Sequence, residues 1–122
     1  MVSFEMEDDF QKFHLCHCKQ CQRATGSAHA SNLFTGTDNI RWTKGKDLVK
    51  RYDVPGRCIS NAFCVKCGSG LPYVSKSGKS LVVPAGTLES NPTVLPSDNI
   101  FWAERAKWYD AALNAKHFAA AS

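Results

Sequence analysis

Cys16-His17-Cys18-Lys19-Gln20-Cys21 places three thiols within six residues, and the rest of the chain is read relative to it. Thiolates at this spacing converge on one soft cation. Zn²⁺ is the usual occupant, because it takes sulfur ligands tetrahedrally and has no redox chemistry of its own. Three local ligands leave one position to fill. A protein side chain there makes the site structural, whereas water or substrate there makes it a Lewis acid or a holder of a reacting thiolate. Cys16, Cys18 and Cys21 are therefore candidate metal ligands and, together, the candidate catalytic centre.

A second pair lies downstream at Cys64-Val65-Lys66-Cys67-Gly68. Its glycine suits the tight reversal that lets two sulfurs face one point, so Cys64 and Cys67 also read as metal ligands. The sixth cysteine, Cys58, stands apart in a strand pattern among apolar neighbours and reads as a small core residue. A disulfide framework is the competing reading. The strained ring that Cys-x-Cys would form opposes it, as does the absence of a secretory pattern in Met1-Val2-Ser3-Phe4-Glu5. Reduced thiols and a cytoplasmic setting are the expectation.

With 122 residues, 43% of them hydrophobic, the chain is expected to form a single domain, 1–122, with a modest core that a metal would reinforce. The net charge of +4 is mild and no run of Lys or Arg is long, which argues against a nucleic-acid arm. No apolar stretch is long enough for a membrane span.

Val2, Phe4 and Met6 alternate with polar residues as in a half-buried strand. Phe13–Cys16 is a second strand carrying the first thiol, and 18–25 closes one or two helical turns before Gly26 stops them. Further strands are predicted at 30–34, 40–42, 48–52, 58–63, 71–74, 81–84 and 100–102, and a short alanine-rich helix at 111–118. Residues 119–122 are expected to fray. Many short strands separated by turns give a mainly β fold.

Four motifs recur in a specific order: Cys16-His17-Cys18-x-x-Cys21-x-Arg23-x-x-Gly26, Phe63-Cys64-x-x-Cys67-Gly68-Ser69-x-Leu71-Pro72, Pro84-Ala85-Gly86-Thr87-Leu88, and the tail Asn99-Ile100-Phe101-Trp102 running on to Trp108-Tyr109. In these the chain resembles the glutathione-dependent formaldehyde-activating family, which includes the centromere-protein-V-like proteins. The resemblance implies an Mss4-like folded-sheet (β-tent) zinc-binding domain with a short C-terminal helix. It further implies a catalytic zinc on Cys16, Cys18 and Cys21, and a structural zinc shared between a Cys-x-x-Cys pair and an N-terminal Cys-x-Cys. This chain has no such N-terminal segment before Val2. Three arrangements remain for Cys64 and Cys67: zinc held with Cys58 or a histidine, a single site shared with the upstream thiols, or no metal.

The implied activity is that of a zinc-dependent carbon–sulfur lyase acting on a glutathione-like thiol and a small aldehyde, as in S-hydroxymethylglutathione synthesis. The alternative is a non-catalytic, zinc-stabilised binding module for protein or nucleic acid, and a third option is a thiol redox protein. Lys19 and Arg23 flank the thiols and are positioned in sequence to lower a cysteine pKa. His17 is read as an exposed residue or one standing behind the ligands, its ring away from the metal.

Overall fold

The computed structural model describes residues 1–121. Its strands in chain order are β1 (Ser3–Glu5), β2 (Lys12–Cys16), β3 (Ala30–Thr35), β4 (Arg41–Lys44), β5 (Val49–Asp53), β6 (Ser60–Cys64), β7 (Gly70–Leu71), β8 (Tyr73–Val74), β9 (Leu81–Pro84) and β10 (Asp98–Ile100). Two short helices, α1 (Lys19–Thr25) and α2 (Tyr109–Ala112), join them. The mainly β architecture and the short C-terminal helix agree with the sequence reading.

Three sheets form: β1-β4, β10-β2-β3-β9-β8 and β5-β6-β7. In the five-stranded sheet β3 is central, and Leu33 on it is fully buried against Phe13, Leu81 and Val83. Leu81, Val82 and Val83 are all buried, as a continuous apolar run on a strand covered on both faces requires. Pro72 separates β7 from β8, and β8 takes the sheet edge, where a missing N–H costs least. A second cluster, Ala62, Cys64 and Leu71, packs under Phe4, Trp42 and Tyr73.

β10 pairs in parallel with β2, placing Asn99 beside Leu15 and Ile100 beside Cys16. His14 hydrogen-bonds Asp98 across this pair. The end of the chain is thereby brought back onto the strand that delivers the first thiol.

Three local readings are corrected. The strand expected at 100–102 ends at Ile100, because Phe101 takes a left-handed φ of 54° and Trp102–Glu104 follows as a 3₁₀ turn. The helix expected at 111–118 is only Tyr109–Ala112. Alanine supplies helix propensity, but residues 111–121 are exposed and offer no apolar face to dock. Cys58 precedes β6 and is exposed rather than a core residue. Of the residues expected to fray, Ser122 lies outside the described range.

Candidate metal centre

β2 ends at Cys16, and the chain then turns into α1. Cys18 is the N-cap of α1: its backbone is extended and its sulfur accepts the N–H of Cys21 at 3.3 Å, the job that a Ser or Asp side chain does at most helix starts. Gly26 closes the helix at φ 64°, its N–H donating to the Gln22 carbonyl, a conformation that favours glycine. One short helix capped at both ends therefore folds the loop and gathers the thiols.

The sulfurs of Cys16, Cys18 and Cys21 lie within 4.8 Å of one another, and all three residues are buried. Among the described residues this is the only group of three or more Cys, His, Asp or Glu donors close enough to share an ion. A tetrahedral ion with Zn–S near 2.3 Å needs sulfurs roughly 3.8 Å apart. The Cys16–Cys21 separation of 3.4 Å is close to that, and thiolates are the donors soft cations prefer, so the three cysteines fit a metal ion.

The electrostatics of the loop are uneven. The Cys21 S–H donates to the Cys16 sulfur, and this bond, helped by backbone and side-chain bonding from Cys18, lowers the Cys16 pKa from the usual 9.0 to about 6 against the opposing effect of burial. Cys21 moves the other way: holding the shared proton for Cys16, together with its own burial, pushes its pKa far up. The pair thus loses one proton readily and keeps the second. Lys19 and Arg23 are exposed and are not what lowers Cys16.

Tyr73 is a neighbour that sequence reasoning missed. Burial, with the charges of Cys21 and Cys16 adding to it, pushes its phenol up to about 12, so it stays protonated. Ala30, Ile59 and Ile100 supply the apolar wall.

The end of the chain clamps the loop. The His17 N–H donates to the Ile100 carbonyl (3.0 Å), the Lys19 N–H to Glu104 Oε1 (3.2 Å), and Gln22 Nε2 bridges the His17 and Glu104 carbonyls at 2.8 and 3.1 Å. His17 is fully buried, which removes the exposed reading and leaves the one that stands it behind the ligands. It stands outside the sulfur group.

The second pair is arranged differently. Cys64 is buried and Cys67 exposed. The turn is closed by the Gly68 N–H on the Cys64 carbonyl at 2.7 Å. Hydrogen bonding with Ser69 lowers the Cys67 pKa, the Cys64 thiol adding to it. Among the described residues neither thiol belongs to a group of three potential ligands, and Cys58 is not brought to them as one. A cleft of about 510 Å³ between β1 and residues 87–92 is lined by none of the cysteines. Among the described residues no helix is long and apolar enough to cross a membrane.

A family model described as glutathione-dependent formaldehyde-activating enzyme matches residues 1–104. The chain belongs to that family. The match runs through β10 and the Trp102–Glu104 turn, so it includes both cysteine motifs and the clamp. A crystal structure of a Rhodobacter sphaeroides protein is similar at 24% identity with a TM-score of 0.61, covering 80% of this chain and 90% of that one. At that identity the likeness concerns the fold. No curated protein matches the chain.

Proposed function

We propose that Cys16, Cys18 and Cys21 hold Zn²⁺ and form the centre of a carbon–sulfur lyase-type enzyme that joins a glutathione-like thiol to a small aldehyde such as formaldehyde. The observation that carries this reading is the set of three buried sulfurs without a fourth protein ligand among the described residues. Such a set is one donor short of a closed structural site. The family supports the choice of thiol and aldehyde.

In the addition, the thiol sulfur forms a bond to the aldehyde carbon, the C=O π bond breaks, and the thiol proton ends on the oxygen, giving an S-hydroxymethyl adduct. Bound zinc supplies a soft Lewis acid beside which a thiol persists as thiolate at neutral pH. The chain's own groups do the remaining work. Cys16 is a thiolate at neutral pH before any metal arrives. The Cys21 N–H fixes the Cys18 sulfur. Ala30, Ile59 and Ile100 keep the surroundings apolar, which strengthens each of these interactions. Reduced thiols suit a cytoplasmic setting.

Metal analysis of protein purified without chelator, together with NMR of ¹³C-formaldehyde and glutathione, tests the reading. Bound zinc and adduct formation faster than the uncatalysed rate are expected. Cys18→Ser should lose both, and a Cys18→Ser protein that keeps both ends the assignment.

A further inference from the structure

Holding a metal leaves one set of side chains beside the sulfur loop without a purpose. Nε2 of His17 lies 2.9 Å from Oδ1 of Asn99. A carboxamide oxygen only accepts, so Nε2 carries the hydrogen and, in the neutral ring, Nδ1 is a bare acceptor. Nothing donates to it. Among the described residues it is the one buried side-chain nitrogen or oxygen with no hydrogen-bond partner. Its neighbours are rings that meet the imidazole edge to face: His29 at 5.0 Å, Trp102 at 5.0 Å and Tyr109 at 4.9 Å between centroids. An acceptor buried in this way destabilises the fold unless something hydrogen-bonds it.

A second cost falls in the same place. Phe101 is the non-glycine residue with positive φ among those described. This left-handed step turns the chain out of β10 and lays Trp102 against His17. Strain of this kind persists where the surroundings impose it, and it gathers at functional sites. Arg105 then stacks on Trp102 at 4.3 Å and pairs with Asp110, holding the indole from outside. An orphan acceptor and a strained residue that builds its wall have separate origins: His17 lies between two sulfur ligands, and Phe101 follows Ile100, which pairs with Cys16.

We propose that His17 Nδ1 accepts a hydrogen bond from the hydroxyl of the S-hydroxyalkyl adduct, and that His17, His29, Trp102 and Tyr109 form the subsite that tells this adduct from a plain thioether. The inference rests on the thiol–aldehyde reading above and adds a specificity-determining residue to it. The chemistry selects one partner. The aldehyde oxygen is an acceptor and gains nothing from a bare nitrogen, whereas the adduct's oxygen bears the proton left by the thiol and donates it. The box therefore favours the adduct over separated thiol and aldehyde. Asn99 is a positioning residue, because it fixes which ring nitrogen is bare. Trp102, 39% exposed, is the wall on the solvent side.

The test uses the zinc-loaded full chain and two probes that differ by one oxygen: S-(hydroxymethyl)glutathione, maintained by excess formaldehyde, and S-methylglutathione in the same formaldehyde. The wild type is expected to bind the hydroxymethyl probe about tenfold more tightly, the scale of one hydrogen bond to a buried acceptor. His17→Phe should bring the two affinities together with zinc content unchanged, and His17→Gln, whose amide oxygen accepts, should restore part of the preference. Asn99→Leu lies on an exposed residue. It should reduce the preference severalfold without weakening S-methylglutathione, which covers the case of a His17→Phe protein that does not fold. Equal wild-type affinities for the two probes overturn the hydrogen bond alone. Failure of both probes to bind the wild type overturns the thiol–aldehyde reading and this inference with it.

Discussion

Zinc binding to the metal-free chain should release fewer protons than three neutral thiols would supply, and the number should change with pH in a way the Cys16–Cys21 hydrogen bond dictates. With Cys16 near 6, about one molecule in a hundred keeps that proton at pH 8, two pH units above the pKa, and about nine in ten keep it at pH 5, one unit below. Three sulfurs can then give up at most about two protons at pH 8 and nearly three at pH 5. The measurement is calorimetric titration of zinc into chelator-stripped protein, in buffers of different ionisation enthalpy, at both pH values. The count should rise by about one on acidification. Cys21→Ala removes the S–H donor, so in the metal-free variant alkylation of Cys16 should require a pH nearer the usual 9.0 than 6. The same shift acts on folding. A thiol pKa depressed in the folded state stabilises the metal-free fold above the unfolded pKa, near 9.0, and that contribution is lost as pH falls through about 6. A proton count that is the same at pH 5 and pH 8 refutes the shared-proton description of the pair.

Leu33 is fully buried at the centre of the five-stranded sheet, so Leu33→Ala should cost about 3–5 kcal/mol in urea unfolding of the zinc-loaded protein. Phe101→Gly and Phe101→Ala both delete an exposed ring. At φ 54° only glycine relaxes the backbone, so the glycine variant should be the more stable by about 1 kcal/mol, measured as the difference between two denaturation midpoints. Cys58→Ala should leave zinc content unchanged, since Cys58 is exposed and outside the sulfur group; loss of an equivalent by elemental analysis would show it to be a ligand.

What could be read from the sequence was local. Gly26 announces the end of a short helix because capping chemistry acts within a few residues, and that helix gathers the sulfurs. Leu81–Pro84 read as a strand, although its interior place between β3 and β8 did not. What could not be read was long-range. Asn99 reaches His17 across 82 positions and Asp98 reaches His14 across 84, and nothing in either stretch specifies a parallel partner. Phe101 belongs to an aromatic run that favours a strand, and tertiary packing turned it left-handed instead. Cys58 was misplaced because its apolar neighbours suggested a strand, but the chain first makes a turn in which the Val54 N–H reaches the Ile59 carbonyl, and β6 begins only at Ser60. Tyr73 carried no motif of its own, and only folding buries its phenol and exposes it to the charges of Cys21 and Cys16.

The parallel seating of β10 against β2 has a consequence for biosynthesis. The cysteine loop is translated before the carbonyl of Ile100 and the side chain of Glu104 that steady it, Glu104 lying 85 positions beyond the Lys19 it holds. On the ribosome the nascent thiols therefore wait, unclamped and open to oxidants or to the wrong cation, until that later stretch has emerged.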